Sequence, residues 1–179
     1  MEPECNSDGF SVKCKFAFNF CWKCLRSGIG FGLTSGILAT LGMAIGLSSS
    51  GTNSRQVVIS GILLLAVTET LADALAMHIS VESESEHSPA EIWVTTISTM
   101  LSKILVALTF LIPVILLPLD QAMVANIVWG VLLLTLFSYY IGRVGGENPW
   151  GVVLEHLVIA GVIIIMTYFL GIWLESKFS

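Results

Sequence analysis

Hydrophobic residues occur in five long runs along the chain, separated by short polar segments. Each run is close to the ~20 apolar residues that an α-helix needs to cross the hydrocarbon core of a bilayer. The pattern therefore predicts an all-α fold of five transmembrane helices, and a helical extension from Glu91 is an alternative start for the third. The five runs cover about residues 27–47, 57–79, 101–119, 122–141 and 152–174.

The composition narrows the class of protein. Only 12% of the 179 residues are charged and 55% are hydrophobic, whereas soluble domains carry roughly 25% charged residues. That excludes an ordinary soluble enzyme and a disordered regulator. A nucleic-acid-binding protein would need a basic face, but 13 acidic residues outnumber 8 basic ones. We predict a polytopic protein whose surroundings are the lipid bilayer, with no nucleic-acid partner.

The positive charges give the orientation. Residues 1–26 form a charged segment without the long apolar core of a signal peptide, and residues 27–176 form the five-helix domain. Cytoplasmic loops carry the excess of Lys and Arg, which predicts a cytoplasmic N-terminus and a cytoplasmic loop at 80–90. We expect this membrane to be the cell membrane or, in a eukaryote, a vacuolar-type membrane. The side of the N-terminus carries Lys13, Lys15, Lys23, Arg26 and Arg143, against Arg55 and Lys177 on the other side.

Two carboxylates interrupt the second run. Glu69, Asp73 and Met77 are spaced four residues apart, so a helix places them on one face. An acid at the centre of a membrane helix costs about 2.5–3.5 kcal/mol and is a candidate functional residue. Oxygen ligands combined with a thioether favour a transition metal such as iron(II) or manganese. The alternative is that the acids hydrogen-bond to other helices and Met77 only fills space.

The loop that follows the second run is acidic. It contains Glu82, Glu84 and Glu86 together with His87. Clustered charges of one sign raise the local concentration of counter-ions, so this loop is a candidate cytoplasmic entrance for metal ions. A solvated polar loop without a specific role is an equally good interpretation.

A lysine and two prolines mark the third run. Lys103 lies about one turn inside it. We expect the side chain to reach the cytoplasmic surface along its apolar stem, with a role as counter-ion to Glu69 or Asp73 as the alternative. Pro113 and Pro118 are expected to free backbone carbonyl groups and to kink the helix.

Glycines recur in the first run at spacings that allow close helix contact. Gly32 and Gly36 form one small-xxx-small pair, and Gly42 and Gly46 form another. Contacts between two subunits and packing within one subunit predict the same pattern.

All four cysteines precede residue 25. Cys21 and Cys24 have the spacing of half a zinc or redox site, and Cys14 is a candidate third ligand for zinc or iron. A cytoplasmic N-terminus argues against stable disulfides. The alternative is an amphipathic segment that lies on the membrane surface.

The motifs above resemble those of the vacuolar iron transporter family. The segment Thr68-Glu-Thr-Leu-Ala-Asp-Ala-Leu-Ala-Met77 is similar to that family's Ala-Glu-Ala-Leu-Ala-Gly-Ala-Leu-Ser-Met. The segments 32–42 and 112–118 are similar to its first-helix glycine motif and its third-helix proline pattern. The resemblance implies a five-helix homodimer that moves iron(II) or manganese, typically in exchange for protons, along a path at the dimer interface.

The resemblance assigns roles to individual positions. It implies that Glu69 and Met77 line the path. The family's first-helix aspartate is replaced here by Ser35, while Asp73 stands where the family usually has glycine. We hypothesise that the carboxylate has moved from the first helix to the second, which requires Ser35 and Asp73 to be close. The family's Gly-Glu-Tyr signature after the methionine and its glutamate-rich cytoplasmic insert are both missing.

The sequence thus predicts a transporter that moves a divalent transition metal out of the cytoplasm, with protons as the exchanged ion. No covalent chemistry is implied, so we do not expect an enzyme. The alternative is a membrane metal sensor or scaffold that does not transport and that uses the N-terminal cysteines.

Overall fold

The computed structural model describes residues 22–51, 54–84 and 87–178, and these residues form five α-helices. The helices contain 27 to 30 residues each, so they are about 40–45 Å long. All five are long and apolar enough to cross a bilayer. The prediction of an all-α, five-span membrane protein is confirmed. The helices are α1 (Trp22–Ser49), α2 (Arg55–Ser83), α3 (Pro89–Leu116), α4 (Leu119–Gly145) and α5 (Pro149–Phe178).

The third helix differs most from its predicted bounds. It begins at Pro89, where Ser88 and Glu91 form a capping box in which the Ser88 backbone N–H donates to Glu91 Oε2 at 2.8 Å. The helical extension from Glu91 is therefore part of α3. Of the two prolines expected to kink this helix, only Pro113 lies within it. Pro118 is the N-cap of α4, because proline disfavours helical geometry in the residue before it and so separates the two helices.

The first helix also starts earlier than predicted. Its first turns include Cys24 and Arg26, which the sequence assigned to the N-terminal segment. Cys14, Cys21 and Glu86 lie outside the described residues, and the predictions made for them stay predictions.

Helix α1 is the centre of the bundle, since it contacts each of the other four helices and packs most extensively against α3. Glycines make this close approach possible. A Cβ atom at Gly32 would overlap Ser102 Oγ and would lie 2.5 Å from the carbonyl oxygen of Thr99. Gly42 instead faces α5, where a Cβ would lie 3.4 Å from Thr167 Cγ2. Both glycine pairs therefore serve packing within one chain.

The outer surfaces of the helices are apolar, as expected for contact with lipid. Helix α5 is the least enclosed, with 11% of its most hydrophobic window buried. On the side of the bundle away from Cys24, Arg55 donates from Nη1 to the carbonyl oxygen of Ile115 at 3.1 Å and from Nη2 to that of Leu117 at 3.0 Å. These bonds satisfy carbonyl groups that the end of α3 leaves without a helical partner.

Candidate functional site

The two acids of α2 lie near the middle of the helix, at the edge of its packed face. Glu69 and Asp73 each precede a buried residue, Thr70 and Ala74 respectively. Their side chains are 39% and 23% exposed. They therefore border the contact with neighbouring helices and do not point fully into lipid.

Lys103 of α3 brings the two acids together. Its ammonium group hydrogen-bonds to Asp73 Oδ2, and its Nζ lies 3.2 Å from Glu69 Oε2. Lys103 is only 2% exposed. The expectation that this side chain reaches the cytoplasmic surface is wrong, and the alternative interpretation, a counter-ion to Glu69 or Asp73, is confirmed for both acids.

The length of α3 explains this difference. The sequence placed Lys103 one turn inside the span, but the helix begins at Pro89 and ends at Leu116. Lys103 is therefore about 20 Å from either end, which is beyond the reach of a lysine side chain. Because a buried charge is stable only when it is paired, the ammonium group binds the acids of α2.

Ser35 of α1 completes the group. Its Oγ donates to Asp73 Oδ2 at 2.8 Å, so one carboxylate oxygen accepts hydrogen bonds from both the serine and the lysine. The proximity that our hypothesis required between Ser35 and Asp73 is present. The neighbouring Gly36 allows the lysine stem to lie against α1, since a Cβ there would be 3.2 Å from Lys103 Cγ.

Glu69 differs from Asp73 in the hydrogen bonds that its carboxylate accepts. Its Oε2 is buried and has no hydrogen bond, although Lys103 Nζ is within ion-pair distance. Distance alone gives electrostatic attraction, whereas a hydrogen bond also needs alignment. Glu69 Oε2 thus retains unused acceptor capacity beside a cation.

A groove reaches this group from one side. It has a volume of about 640 Å³ and lies between α1, α2 and α5. Its lining is mainly apolar, but Ser35 and Glu69 both contribute to it. The four residues Ser35, Glu69, Asp73 and Lys103, which we call the buried ion-pair group, carry a formal charge of −1, and the group borders the groove through Ser35 and Glu69.

Met77 is less clearly connected to the buried ion-pair group. It lies one turn beyond Asp73 on the same face and is half-buried. Within the described ranges, its side chain takes part in no hydrogen bond and no ion pair. The next residue, His78, contacts α3 through Thr96 Oγ1, 3.0 Å from its Nδ1. The metal-binding role of Met77 stays a prediction.

The acidic loop is partly helical. Glu82 is exposed in the last turn of α2, and Glu84 is its C-cap. His87 Nε2 lies 3.2 Å from Glu84 Oε2, and His87 Nδ1 lies 3.9 Å from Glu91 Oε2. These groups lie at the same end of the bundle as the start of α1.

Cys24, near the start of α1, lies close to the loop between α2 and α3. Ligand atoms of Cys24, His87 and Glu91 lie within 4.8 Å of one another. The cysteine is buried and disulfide-bonded, contrary to the expectation of no stable disulfide. In that state its sulfur is not a thiolate, the form that binds metals. From the sequence, Glu91 was not placed near the cysteines. A signal was available, because the capping-box spacing from Ser88 indicates that the Glu91 side chain turns back toward the start of α3, where His87 lies.

One further polar residue was missed. Asn126 of α4 is completely buried, and neither its Oδ1 nor its Nδ2 has a hydrogen-bond partner among the described residues. The sequence did contain a signal for it. Asn126 is a polar residue within a membrane span, and it lies on the same helical face as residues spaced four apart that are small or apolar, namely Ala122, Gly130 and Leu134.

No protein-family model and no curated protein matches this chain.

Proposed function

We propose that this protein transports a divalent transition metal, iron(II) or manganese, out of the cytoplasm through the buried ion-pair group. The observation that carries the proposal is the convergence of Glu69 and Asp73 on a single cationic group, the Lys103 ammonium, near the middle of the membrane-spanning helices. Two carboxylates that converge on one cation have the geometry to bind another.

The chemistry of the donors supports a metal ion. Carboxylate oxygens bind divalent cations, and a thioether shifts the preference toward transition metals. Met77 lies one turn from Asp73, toward the end of α2 that carries Glu82 and Glu84. An ion that enters from this end would meet the thioether before the carboxylates.

The resemblance to vacuolar iron transporters supports the same proposal. It assigns the path to Glu69 and Met77, and the contact of Ser35 with Asp73 supports our hypothesis that Asp73 replaces the missing acid. By the same resemblance we propose a homodimer with the groove of α1, α2 and α5 at its interface. Carboxylates that bind metal and protons in turn would couple metal export to proton entry.

Flux measurements test the proposal. The purified full chain in liposomes should move Mn²⁺ or Fe²⁺ across the membrane, and a pH gradient should accelerate it. Glu69→Gln should abolish flux while leaving the protein folded. Glu155→Gln is the matched control, because Glu155 is an exposed acid of α5 without an ion pair among the described residues, and it should keep wild-type flux. Undiminished flux in Glu69→Gln would refute the proposed site.

The second candidate function is metal sensing without transport. It is favoured by the proximity of Cys24, His87 and Glu91, and a thiol reductant would have to convert the disulfide of Cys24 to free thiols first. Under reducing conditions this candidate predicts zinc binding that Cys24→Ser and His87→Ala both weaken, and no flux. Metal binding that persists in Cys24→Ser and is lost in Glu69→Gln would exclude it.

A further inference from the structure

Lys103 is the most deeply buried charged side chain that the structure describes. Its ammonium group stands between Glu69 and Asp73 and occupies the space that a metal ion bound by both acids would need. The described parts of α1 and α4 offer it no ion-pair partner. The lysine is thus held by the two acids proposed as metal ligands.

We propose that the Lys103 ammonium is a built-in competitor of the transported cation, which must withdraw from Glu69 and Asp73 before a metal ion can bind both. This inference rests on the proposed function and adds to it the residue that sets the affinity of the site.

Charge makes the two occupants mutually exclusive. With the ammonium in place the group has a formal charge of −1, and adding a divalent ion beside it would give +1 in a poorly polarisable interior. Like charges in close contact in such an interior repel strongly, and the double charge of the metal ion doubles its repulsion from the ammonium. The metal therefore gains both carboxylates only by displacing the lysine.

The surroundings allow such an exchange. Lysine carries its charge on a flexible stem of four carbons, and Glu69 borders an open groove. Ser35 Oγ is bonded to the same oxygen of Asp73 as the ammonium, so it continues to orient this carboxylate after the lysine has left. Glu69 Oε2 lacks an aligned hydrogen bond to the ammonium, so withdrawal breaks an electrostatic contact at Glu69 and a hydrogen bond only at Asp73.

Competition of this kind suits transport. Binding in a transport path must be favourable enough for the ion to enter and weak enough for it to leave. A lysine that returns to the carboxylates lowers the affinity and accelerates release. A purely structural ion pair would stabilise the contact between α2 and α3 without affecting the bound ion in this way.

Equilibrium binding of Mn²⁺ to the full-length protein in detergent tests the proposal. Lys103→Met removes the charge and keeps an unbranched stem, and it should bind Mn²⁺ about tenfold more tightly, a gain of about 1.4 kcal/mol. Lys103→Arg keeps the charge and should stay close to wild type. In liposomes Lys103→Met should lower both KM and the maximal rate, because release becomes slower. Affinity in Lys103→Met equal to or below that of wild type would overturn the proposal.

A second substitution tests whether the gain in Mn²⁺ affinity arises at the carboxylates of α2. The tighter binding of Lys103→Met should disappear when Asp73→Asn is added. A gain that persists in this double variant would overturn the competitor role, because the ion would then bind elsewhere.

Failure of the inference can be told from failure of the proposed function. If wild type binds Mn²⁺ in a Glu69-dependent manner and Lys103→Met binds no more tightly, only the competitor role is wrong. If neither protein binds Mn²⁺, both proposals fall. Binding that is detectable only in Lys103→Met supports the competitor role.

A measurement on wild type covers the case in which Lys103→Met does not fold. Reductive methylation of Lys103, followed by mass spectrometry, should increase with Mn²⁺ because the displaced amine leaves its carboxylate partners. Lys23, which is exposed at the start of α1, is the internal control and should not change. Equal methylation of Lys103 with and without Mn²⁺ would contradict displacement.

Discussion

The two sides of α1 differ in how tightly they are closed. Toward α3, Gly32 and Gly36 allow close backbone contact. Ser35 beside them hydrogen-bonds to Asp73, which pairs with Lys103 of α3. Toward α2 and α5, the same helix borders a groove of about 640 Å³. The stem of Lys103 lies against Gly36 on the closed side, and the open side gives access to Glu69. The buried ion-pair group lies where the two sides meet, an arrangement consistent with the proposed site for a mobile ion.

Asp73→Asn should have the largest effect, because it disrupts the closed side at its charged centre. Removing one partner of a buried ion pair costs about 3–5 kcal/mol, so we expect a lower unfolding temperature and a loss of Mn²⁺ flux of about tenfold or more. Thermal unfolding and liposome flux measure the two effects. Glu155→Gln should change neither, and wild-type flux in Asp73→Asn would contradict the account.

Gly32→Ala tests the close approach of α1 and α3. The added methyl group would overlap Ser102 Oγ, and overpacking of this kind costs about 1–3 kcal/mol. Gly161→Ala is the matched control, since a Cβ there has nothing within 4 Å. We expect thermal unfolding to shift down for the first variant only. Equal unfolding temperatures would show that the interface is looser than described.

Ser35→Ala removes the hydrogen bond that orients Asp73 while leaving both charges. A hydrogen bond to a charged group contributes about 1.5–3 kcal/mol, part of which Lys103 can replace, so we expect several-fold weaker Mn²⁺ binding and little loss of stability. Thr34→Ala is the control, because Thr34 Oγ1 only donates to the carbonyl oxygen of Gly30 in its own helix. If Mn²⁺ binding were weakened equally in both variants, Ser35 would have no specific role in orienting Asp73.

Glu84→Gln should have the smallest effect. Its ion pair with His87 is exposed, and such pairs contribute about 0–1 kcal/mol. If the loop collects cations, the initial rate of flux should fall about twofold at low ionic strength and less at high salt, since salt screens exposed charges. If the initial rate of flux were independent of salt in both wild type and Glu84→Gln, the loop would have no role in metal entry.

The sequence was sufficient for the number and type of the helices, because the hydrophobic runs have the length that a bilayer requires. Helix ends were less predictable. Pro89 lies far before the hydrophobic run of α3, and the capping box at Ser88 was a local signal that hydropathy does not detect. The orientation, the homodimer and the transported ion stay predictions.

The candidate site was predictable in part. Four-residue spacing identified the face of Glu69 and Asp73, and the family resemblance directed attention to Ser35. The partnership with Lys103 depends on the register between α2 and α3, which the spacing within one helix does not contain. The proximity of Cys24 and His87 likewise depends on how α1 and α3 pack.

The most direct test of the central claim is the number of Mn²⁺ ions bound per chain, measured by electron paramagnetic resonance on the purified full-length protein. The account predicts that the double variant Glu69→Gln/Asp73→Asn binds one ion fewer per chain than wild type, while Glu155→Gln binds the same number. An unchanged number of bound ions in the double variant would contradict it.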